Sequence, residues 1–312
     1  MGDGDLAHSK AQVLGLEQDL RVDERTIGLD GDRIQDPTTK QLEGAVHVAD
    51  PEAQGHVGQR RPAPAVEAPE QRVPARMPVA GEDGVGALAD VTLLPPVPDS
   101  GRIICIGLNY KRHIEETGHD APAYPILFPR YPSSLVGHDV PLVRPRLSDK
   151  FDFEGEMAVV IGKPGRHVSA ERALEHVAGY ACFNDGSLRD YQRHTSQFLP
   201  GKNFDRSGSF GPWLVTPDEA GDVRDLTLTT RLNGEVMQHT RIDDLLFGVE
   251  DLISYVSRIW EIRPGDIIAT GTPGGVGAAR EPKLWMKPGD RIEVEIDRLG
   301  TLSNPIVDEE GQ

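Results

Sequence analysis

The chain has no aromatic side chain in its first 109 residues: none of its 8 phenylalanines, 6 tyrosines and 3 tryptophans precedes Tyr110. Before about residue 85 the composition is dominated by Gly, Pro, Ala, Asp and Arg, as in Gln59-Arg-Arg-Pro-Ala-Pro-Ala-Val-Glu-Ala-Pro-Glu70. Such a segment cannot bury enough apolar surface to offset the entropy of ordering it. Residues 1–85 are therefore expected to be disordered, or to follow a mis-set translation start with Met77 as the alternative beginning. Residues 86–312 are expected to form the folded domain.

Other scarcities narrow the function classes. Positive charge is in deficit, with 33 Lys and Arg against 50 Asp and Glu, a formal charge of −17 and a pI near 5.0. That balance excludes nucleic acid and anionic membrane as expected partners. No apolar run approaches the ~20 residues of a membrane-spanning helix. Met1-Gly-Asp-Gly-Asp-Leu-Ala-His8 has neither a basic start nor an apolar stretch, so no signal peptide is expected. Leu6 also stands where a myristoylation motif needs Ser or Thr. The 2 cysteines, Cys105 and Cys182, lie in apolar strand-like runs and read as buried thiols of a reducing compartment. The expected location is cytoplasmic.

From Val91 onward the texture is α+β and mostly β. Arg102–Gly107 reads as a buried strand. Ser169 caps an expected helix through about Val177 that ends at Gly179. Leu226–Leu232, Asn233-Gly234 and Glu235–Gln238 form a hairpin signal with a type I′ turn. Val249 to Trp260 has helical apolar spacing. Arg263-Pro-Gly-Asp266 and Lys287-Pro-Gly-Asp290 are turns feeding strands Ile267–Thr270 and Arg291–Ile296. No regular βαβ rhythm appears, which excludes a doubly wound sheet.

The chemistry concentrates around Phe151-Asp-Phe-Glu-Gly-Glu-Met-Ala-Val-Val-Ile-Gly162. Glu154 and Glu156 precede the apolar half of a strand and point the same way, about 6.6 Å apart along the backbone. Two anions on one face beside an apolar run are costly unless a cation sits between them, which points to a divalent metal held by oxygen ligands. The same Glu-x-Glu spacing is common on wet strand faces, and Glu293 and Glu295 illustrate it. Asp185, at the mouth of the apolar run Gly179-Tyr-Ala-Cys182, offers a third carboxylate, although Asn-Asp-Gly is also a plain turn. His113 and Glu116, at i and i+3 of a helical turn, suit a general base with an orienting carboxylate; a solvated helical face is the plainer account of that spacing. Gly201-Lys-Asn-Phe204 and Gly271-Thr-Pro-Gly-Gly275 read equally as loops where a substrate carboxylate can dock and as plain surface turns.

Taken together, Gly107-Leu-Asn-Tyr-x-x-His-x-x-Glu116, Glu154-x-Glu-Met-Ala-Val-Val-Ile-Gly162, Gly179-Tyr-x-x-x-Asn-Asp-x-Ser-x-Arg-Asp-x-Gln192, Gly201-Lys, Gly211-Pro-Trp, Asn233-Gly-Glu and Pro264-Gly-Asp-x-Ile-x-x-Thr-Gly-Thr-Pro273 resemble the fumarylacetoacetate hydrolase superfamily, C-terminal-domain type, from about Leu93 to Val307. The resemblance implies a mixed β-sandwich roll, a homodimer, and a catalytic domain over 86–312. It implies Mg²⁺ or Mn²⁺ held by Glu154, Glu156 and Asp185. The implied catalytic residues are His113 with Glu116, for water activation or proton transfer, and Lys202, to neutralise developing negative charge. Arg189 and Gln192 would orient the substrate and Thr272 would hydrogen-bond its carboxylate; an ion pair of Arg189 with Asp190 would make that arginine structural instead. The implied substrates are 2-oxo or 1,3-diketo acids, and the His113–Glu116 pair favours C–C bond hydrolysis. The alternatives are isomerisation of a 5-carboxymethyl-2-hydroxymuconate-like dienoate, oxaloacetate decarboxylation, and a non-catalytic metal-dependent oxo-acid binder. One departure stands out: much of the family has Asn-Asp-Val-Ser-Ala-Arg-Asp where this chain has Asn184-Asp-Gly-Ser-Leu-Arg-Asp190. Gly186 and Leu188 put pocket shape in question while keeping the ligand and the arginine.

Overall fold

The computed structural model describes residues 92–112, 114 and 120–310. Segment 1–85 lies outside these residues, and so do His113 and Glu116. The architecture is the mostly-β roll expected. Strands β1 (Ile103–Gly107), β2 (Ile126–Arg130), β3 (Leu135–Val136), β6 (Gly155–Ile161), β7 (Val177–Asn184), β9 (Gly208–Val215) and β12 (Ile267–Ala269) form a mixed sheet ordered β2-β1-β12-β6-β7-β9-β3. A second sheet joins β4 (Leu142–Arg144), β10 (Thr227–Leu232), β11 (Glu235–Arg241), β13 (Arg291–Ile296) and β14 (Gly300–Asp308) in the order β11-β10-β13-β14-β4. A short third pair, β5 (Phe151–Asp152) with β8 (Ser187–Leu188), stands beside them.

One core lies between the two large sheets. Met157, Val159 and Ile161 on β6 meet Leu228, Val294, Ile296 and Leu302 there. Helix α3 (Val249–Ile259) inserts Val249, Leu252, Ile253 and Val256 into it, the i, i+3, i+4, i+7 spacing that puts four apolar residues on one face. The alternate residues of β6, Ala158 and Val160, face a second cluster with Cys105, Phe128, Phe183 and Phe210. Every residue of β6 is therefore buried. Any polar group on that strand must find its partners inside the protein.

The Asn233-Gly234 turn forms as expected, with φ of 54° and 81° at its two central residues. The segment after Ser169 does not. Ala170–His176 is a 3₁₀ helix, and Val177, whose N–H returns to Leu174 O, already begins β7. The reason is tertiary: from Val177 onward the backbone is claimed by pairing with β6, so Gly179 lies inside a strand rather than at a helix end. The run 151–162 is likewise not one strand. It breaks at Phe153-Glu154, because Phe151–Asp152 pairs with β8 while Gly155–Ile161 pairs with β7.

Candidate active site

The break before β6 and the end of β7 lie side by side. Asp185 N–H donates to Glu154 O at 2.9 Å, and Glu154 N–H donates to Asn184 Oδ1 at 3.2 Å. These bonds bring Asp185 against Glu154 and Glu156, and ligand atoms of the three carboxylates lie within 4.8 Å of one another. Glu154 and Glu156 share the strand face of Ala158 and Val160, which opens at this end into a cavity of about 760 Å³. Phe128, Phe198, Arg189, Lys202 and Thr272 contribute to its wall.

Buried cations surround the three anions. Lys202, at the end of α2 (Leu199–Lys202), is 1% exposed and donates to Glu154 Oε2 at 2.7 Å and Asp185 Oδ2 at 2.6 Å. Its ammonium also sits 5.1 Å from the centre of the Phe128 ring. Arg189, at the start of α1 (Arg189–Gln192), places Nε 2.7 Å from Asp152 Oδ2 and Nη1 2.6 Å from Glu154 Oε1. Arg130 Nη1 donates to Asp185 Oδ1. Among the described residues Glu156 has no ion-pair partner; its Oε2 accepts the Gly271 N–H at 2.9 Å.

The electrostatics follow this unequal sharing. Burial, with Asp185 and Glu154 beside it, pushes the Glu156 carboxyl well above the usual carboxylate range. Burial acts on Glu154 as well, but Lys202 and Arg189 outweigh it and hold that carboxyl below its ordinary value. For Lys202, burial alone would favour the neutral amine; Asp185 and Glu154 overcome it and keep the ammonium. With Glu156 ionised, Arg130, Arg189 and Lys202 would face four carboxylates, Asp152, Glu154, Glu156 and Asp185, one more than these cations can neutralise, which agrees with the upward push on Glu156. Three carboxylate oxygens with no sulfur or imidazole among them are the donor set of a hard divalent cation, and the surplus negative charge fits one.

The structure brings together Glu154, Glu156, Asp185, Arg189, Gln192, Lys202 and Thr272, all around one cavity or in direct contact with its wall. His113 and Glu116 fall outside the described residues. Arg189 does not pair with Asp190, whose carboxylate accepts from Ser148 Oγ at 2.7 Å. Among the described residues Arg189 Nη2 is buried without a partner. Gln192 accepts from Arg189 Nη1 at 2.9 Å. The Thr272 hydroxyl donates to Gly155 O at 2.9 Å and accepts from Gln238 Nε2 at 2.8 Å. A hydroxyl has a single hydrogen, here committed to Gly155 O, so as arranged it has no donor left for a substrate carboxylate, which can only accept. Leu188 packs at 0% exposure with Phe151 and Phe153, away from the cavity.

Three contributors escaped sequence reasoning. Asp152 receives the Gly277 and Ala278 N–H groups at 2.8 and 2.9 Å as well as Arg189, tying the cavity wall to the arginine. The alternation Asp152-x-Glu154-x-Glu156 was a usable signal for it. Arg130 closes the apolar strand Ile126–Arg130, where a charged residue calls for a buried partner. Gln238, from the second sheet, accepts the Gly155 N–H at 2.9 Å and carried no signal at all.

Residues 102–307 match the family model for the fumarylacetoacetate (FAA) hydrolase C-terminal domain. The mitochondrial oxaloacetate tautomerase FAHD2A of Homo sapiens is 42% identical over 235 residues, covering 75% of each chain. A 5-carboxymethyl-2-hydroxymuconate delta-isomerase structure from Mycobacterium smegmatis is 38% identical with a TM-score of 0.64, over 72% of this chain and 85% of that one. Fumarylpyruvate hydrolase from Pseudomonas aeruginosa, solved in complex with Mn²⁺ and pyruvate, is 34% identical with a TM-score of 0.62, over 70% of this chain and 96% of its own. Sequence, fold and the buried carboxylate cluster agree that this chain is a member of the fumarylacetoacetate hydrolase family.

Proposed function

We propose that this chain is a divalent-metal-dependent enzyme that interconverts the keto and enol forms of a 2-oxo acid of the oxaloacetate type. The observation that carries the reading is the convergence of Glu154, Glu156 and Asp185 within 4.8 Å at a cavity, beside two buried cations that retain unused N–H groups. The three carboxylates would hold Mg²⁺ or Mn²⁺, which when bound supplies Lewis-acid stabilisation of negative charge on the substrate's oxo oxygen. Lys202 commits two of its three N–H donors to Glu154 and Asp185, leaving the third for that same oxygen. Arg189 Nη2, buried and unpartnered, takes the substrate carboxylate. Gln192 orients that guanidinium from the other side. Phe128 and Phe198 keep water from the developing charge. In enolisation His113, paired with Glu116 in the sequence, takes the proton from the carbon beside the oxo group while water supplies one to the oxo oxygen, and ketonisation runs both transfers in reverse.

The identity to oxaloacetate tautomerases over three-quarters of the chain favours tautomerisation. C–C hydrolysis of an acylpyruvate-type diketo acid is the second reading, supported by the likeness to fumarylpyruvate hydrolase. Both need the same enolate; hydrolysis asks His113 and Glu116 to activate water as well. The test is metal-stripped protein, reconstituted with Mg²⁺ or Mn²⁺, assayed for decay of enol-oxaloacetate absorbance and for cleavage of acylpyruvates. Metal-dependent ketonisation without cleavage supports the proposal. Cleavage without ketonisation transfers the site to hydrolysis, and metal uptake with neither makes the protein an oxo-acid binder.

The working unit is residues 86–312, assembled as a homodimer in a reducing compartment where Cys105 and Cys182 stay free thiols. No helix of the described residues is long and apolar enough to cross a membrane. A chain begun at Met77 should turn over substrate like the full-length protein, and a large loss of activity on truncation would refute that boundary.

A further inference from the structure

Each of the three carboxylates has one oxygen tied to an arginine or to the backbone, while the other oxygens of Glu154 and Asp185 accept from Lys202 Nζ. Glu154 Oε1 is held by Arg189 Nη1, Glu156 Oε2 by the Gly271 N–H, and Asp185 Oδ1 by Arg130 Nη1. The Asp185 tie is the most heavily built. The Arg130 side chain is fully buried, and four further bonds fix its guanidinium: Nη1 to Gly186 O at 3.0 Å, Nε to Ser134 Oγ at 3.1 Å, and Nη2 to Ser207 Oγ at 2.8 Å and Ser134 O at 3.3 Å.

Two glycines make room for this arrangement. A Cβ at Gly186 would lie 1.9 Å from Ser207 O, and one at Gly208 would lie 2.7 Å from Arg130 Nη2. Gly208 thus packs directly on the guanidinium, and Gly186 lets the turn after Asp185 close against Ser207, which accepts from Arg130. Arg130 is not among the described residues that line the cavity. Of the three candidate ligands, the described hydrogen bonds join it to Asp185 alone.

We propose that Arg130 is a positioning residue that confines Asp185 to offering a single oxygen, and that this confinement sets the site's preference for a small octahedral cation over Ca²⁺. The inference rests on the metal site proposed above. Mg²⁺ requires a near-ideal octahedron, whereas Ca²⁺ accepts six to eight oxygens and readily takes a carboxylate through both. With Oδ1 engaged by Arg130, Asp185 cannot turn bidentate without breaking a buried, charge-assisted hydrogen bond. Three single oxygens from the protein leave half of an octahedron for substrate and water.

The test is calorimetric titration of the metal-stripped full-length protein with Mn²⁺, Mg²⁺ and Ca²⁺, for wild type, Arg130→Gln, Arg130→Lys and Ser207→Ala. All three ions carry the same charge, so the loss of a nearby positive charge moves the affinities together and cancels in their ratio. Wild type should favour Mn²⁺ and Mg²⁺ over Ca²⁺. Arg130→Gln should lose about tenfold or more of that discrimination, the usual scale for removing a group that orients a metal ligand. Arg130→Lys should lose less, and Ser207→Ala, which keeps the ion pair and frees one guanidinium bond, least. Affinities that shift in parallel, with the Mn²⁺:Ca²⁺ ratio unchanged in Ser207→Ala and in every folded Arg130 variant, would overturn the proposal. A wild type that binds none of these ions would refute the metal site itself, a separate result.

Discussion

The segments Glu154-Gly-Glu156 and Glu293-Val-Glu295 carry the same spacing of acids on the two large sheets, yet they do opposite things. On β13, Ile292, Val294 and Ile296 face the core, and both glutamates stay half-buried on the outer side of the second sheet. There Arg231, itself partly exposed, pairs with Glu295 and lies opposite Glu293 in the ladder. On β6 both faces are covered, so Glu156 is 1% exposed and Glu154 8%. Water settles the charge of the first pair at almost no structural cost. The second pair must be settled by Arg189, Lys202, the Gly271 N–H and, in the proposed enzyme, a metal. The difference shows that a carboxylate pair becomes a site when its strand is buried on both sides and ends at a cavity.

The strongest way to break the comparison is to neutralise the inner pair. Glu154→Gln and Glu156→Gln should each abolish metal-dependent turnover, and added Mg²⁺ or Mn²⁺ should then no longer raise the melting temperature as it does in the wild type. The two should differ in the metal-free state. Glu156 faces Asp185 and Glu154 with no ion-pair partner among the described residues, so its neutralisation should hold or raise the melting temperature. Glu154 neutralises Lys202 and Arg189, so its loss should lower it. Thermal melts of both variants after chelation separate these signs, and equal shifts would contradict the assigned pairing.

Next in size is Asp152→Ala, which leaves Arg189 short of a buried partner and two backbone N–H groups unbound. A loss of about 3–5 kcal/mol is expected, or about 2–4 °C per kcal/mol in the melting temperature, with a raised KM as the arginine loosens. An unchanged KM would mean that Arg189 does not meet the substrate. Gln238→Leu strips the Gly155 N–H and Thr272 of partners supplied by the second sheet and should cost about 1–3 kcal/mol. Denaturant titration measures it.

The smallest effect should come from the outer pair. Glu295→Ala should change stability by less than about 1 kcal/mol, as expected of an exposed ion pair, and leave turnover untouched. If it impairs activity, position along the sheet is not what separates the two pairs.

Much of this is legible in the sequence. The buried run Met157–Ile161, the Asn233-Gly234 hairpin, the helix at Val249–Ile259 and the turns before β12 and β13 follow from local spacing and turn chemistry, and each formed. The carboxylates Glu154, Glu156 and Asp185 were legible because acids beside apolar runs are conspicuous. The elements that misled were those whose local signal was overruled by pairing. Ser169 resembles a helix cap, but β6 recruits Val177 onward into the sheet. The segment 151–162 resembles one strand, but β8 takes its first two residues.

The sequence by itself determined which residue types carry the chemistry, and the family they belong to. Only the tertiary structure decided which groups hold them. Arg130, Asp152 and Gln238 reach the site from 55, 37 and 83 residues away from the groups they bind, Asp185, Arg189 and Gly155. A buried charge must be satisfied by whatever the fold brings within about 3 Å, and proximity of that kind leaves no periodicity along the chain.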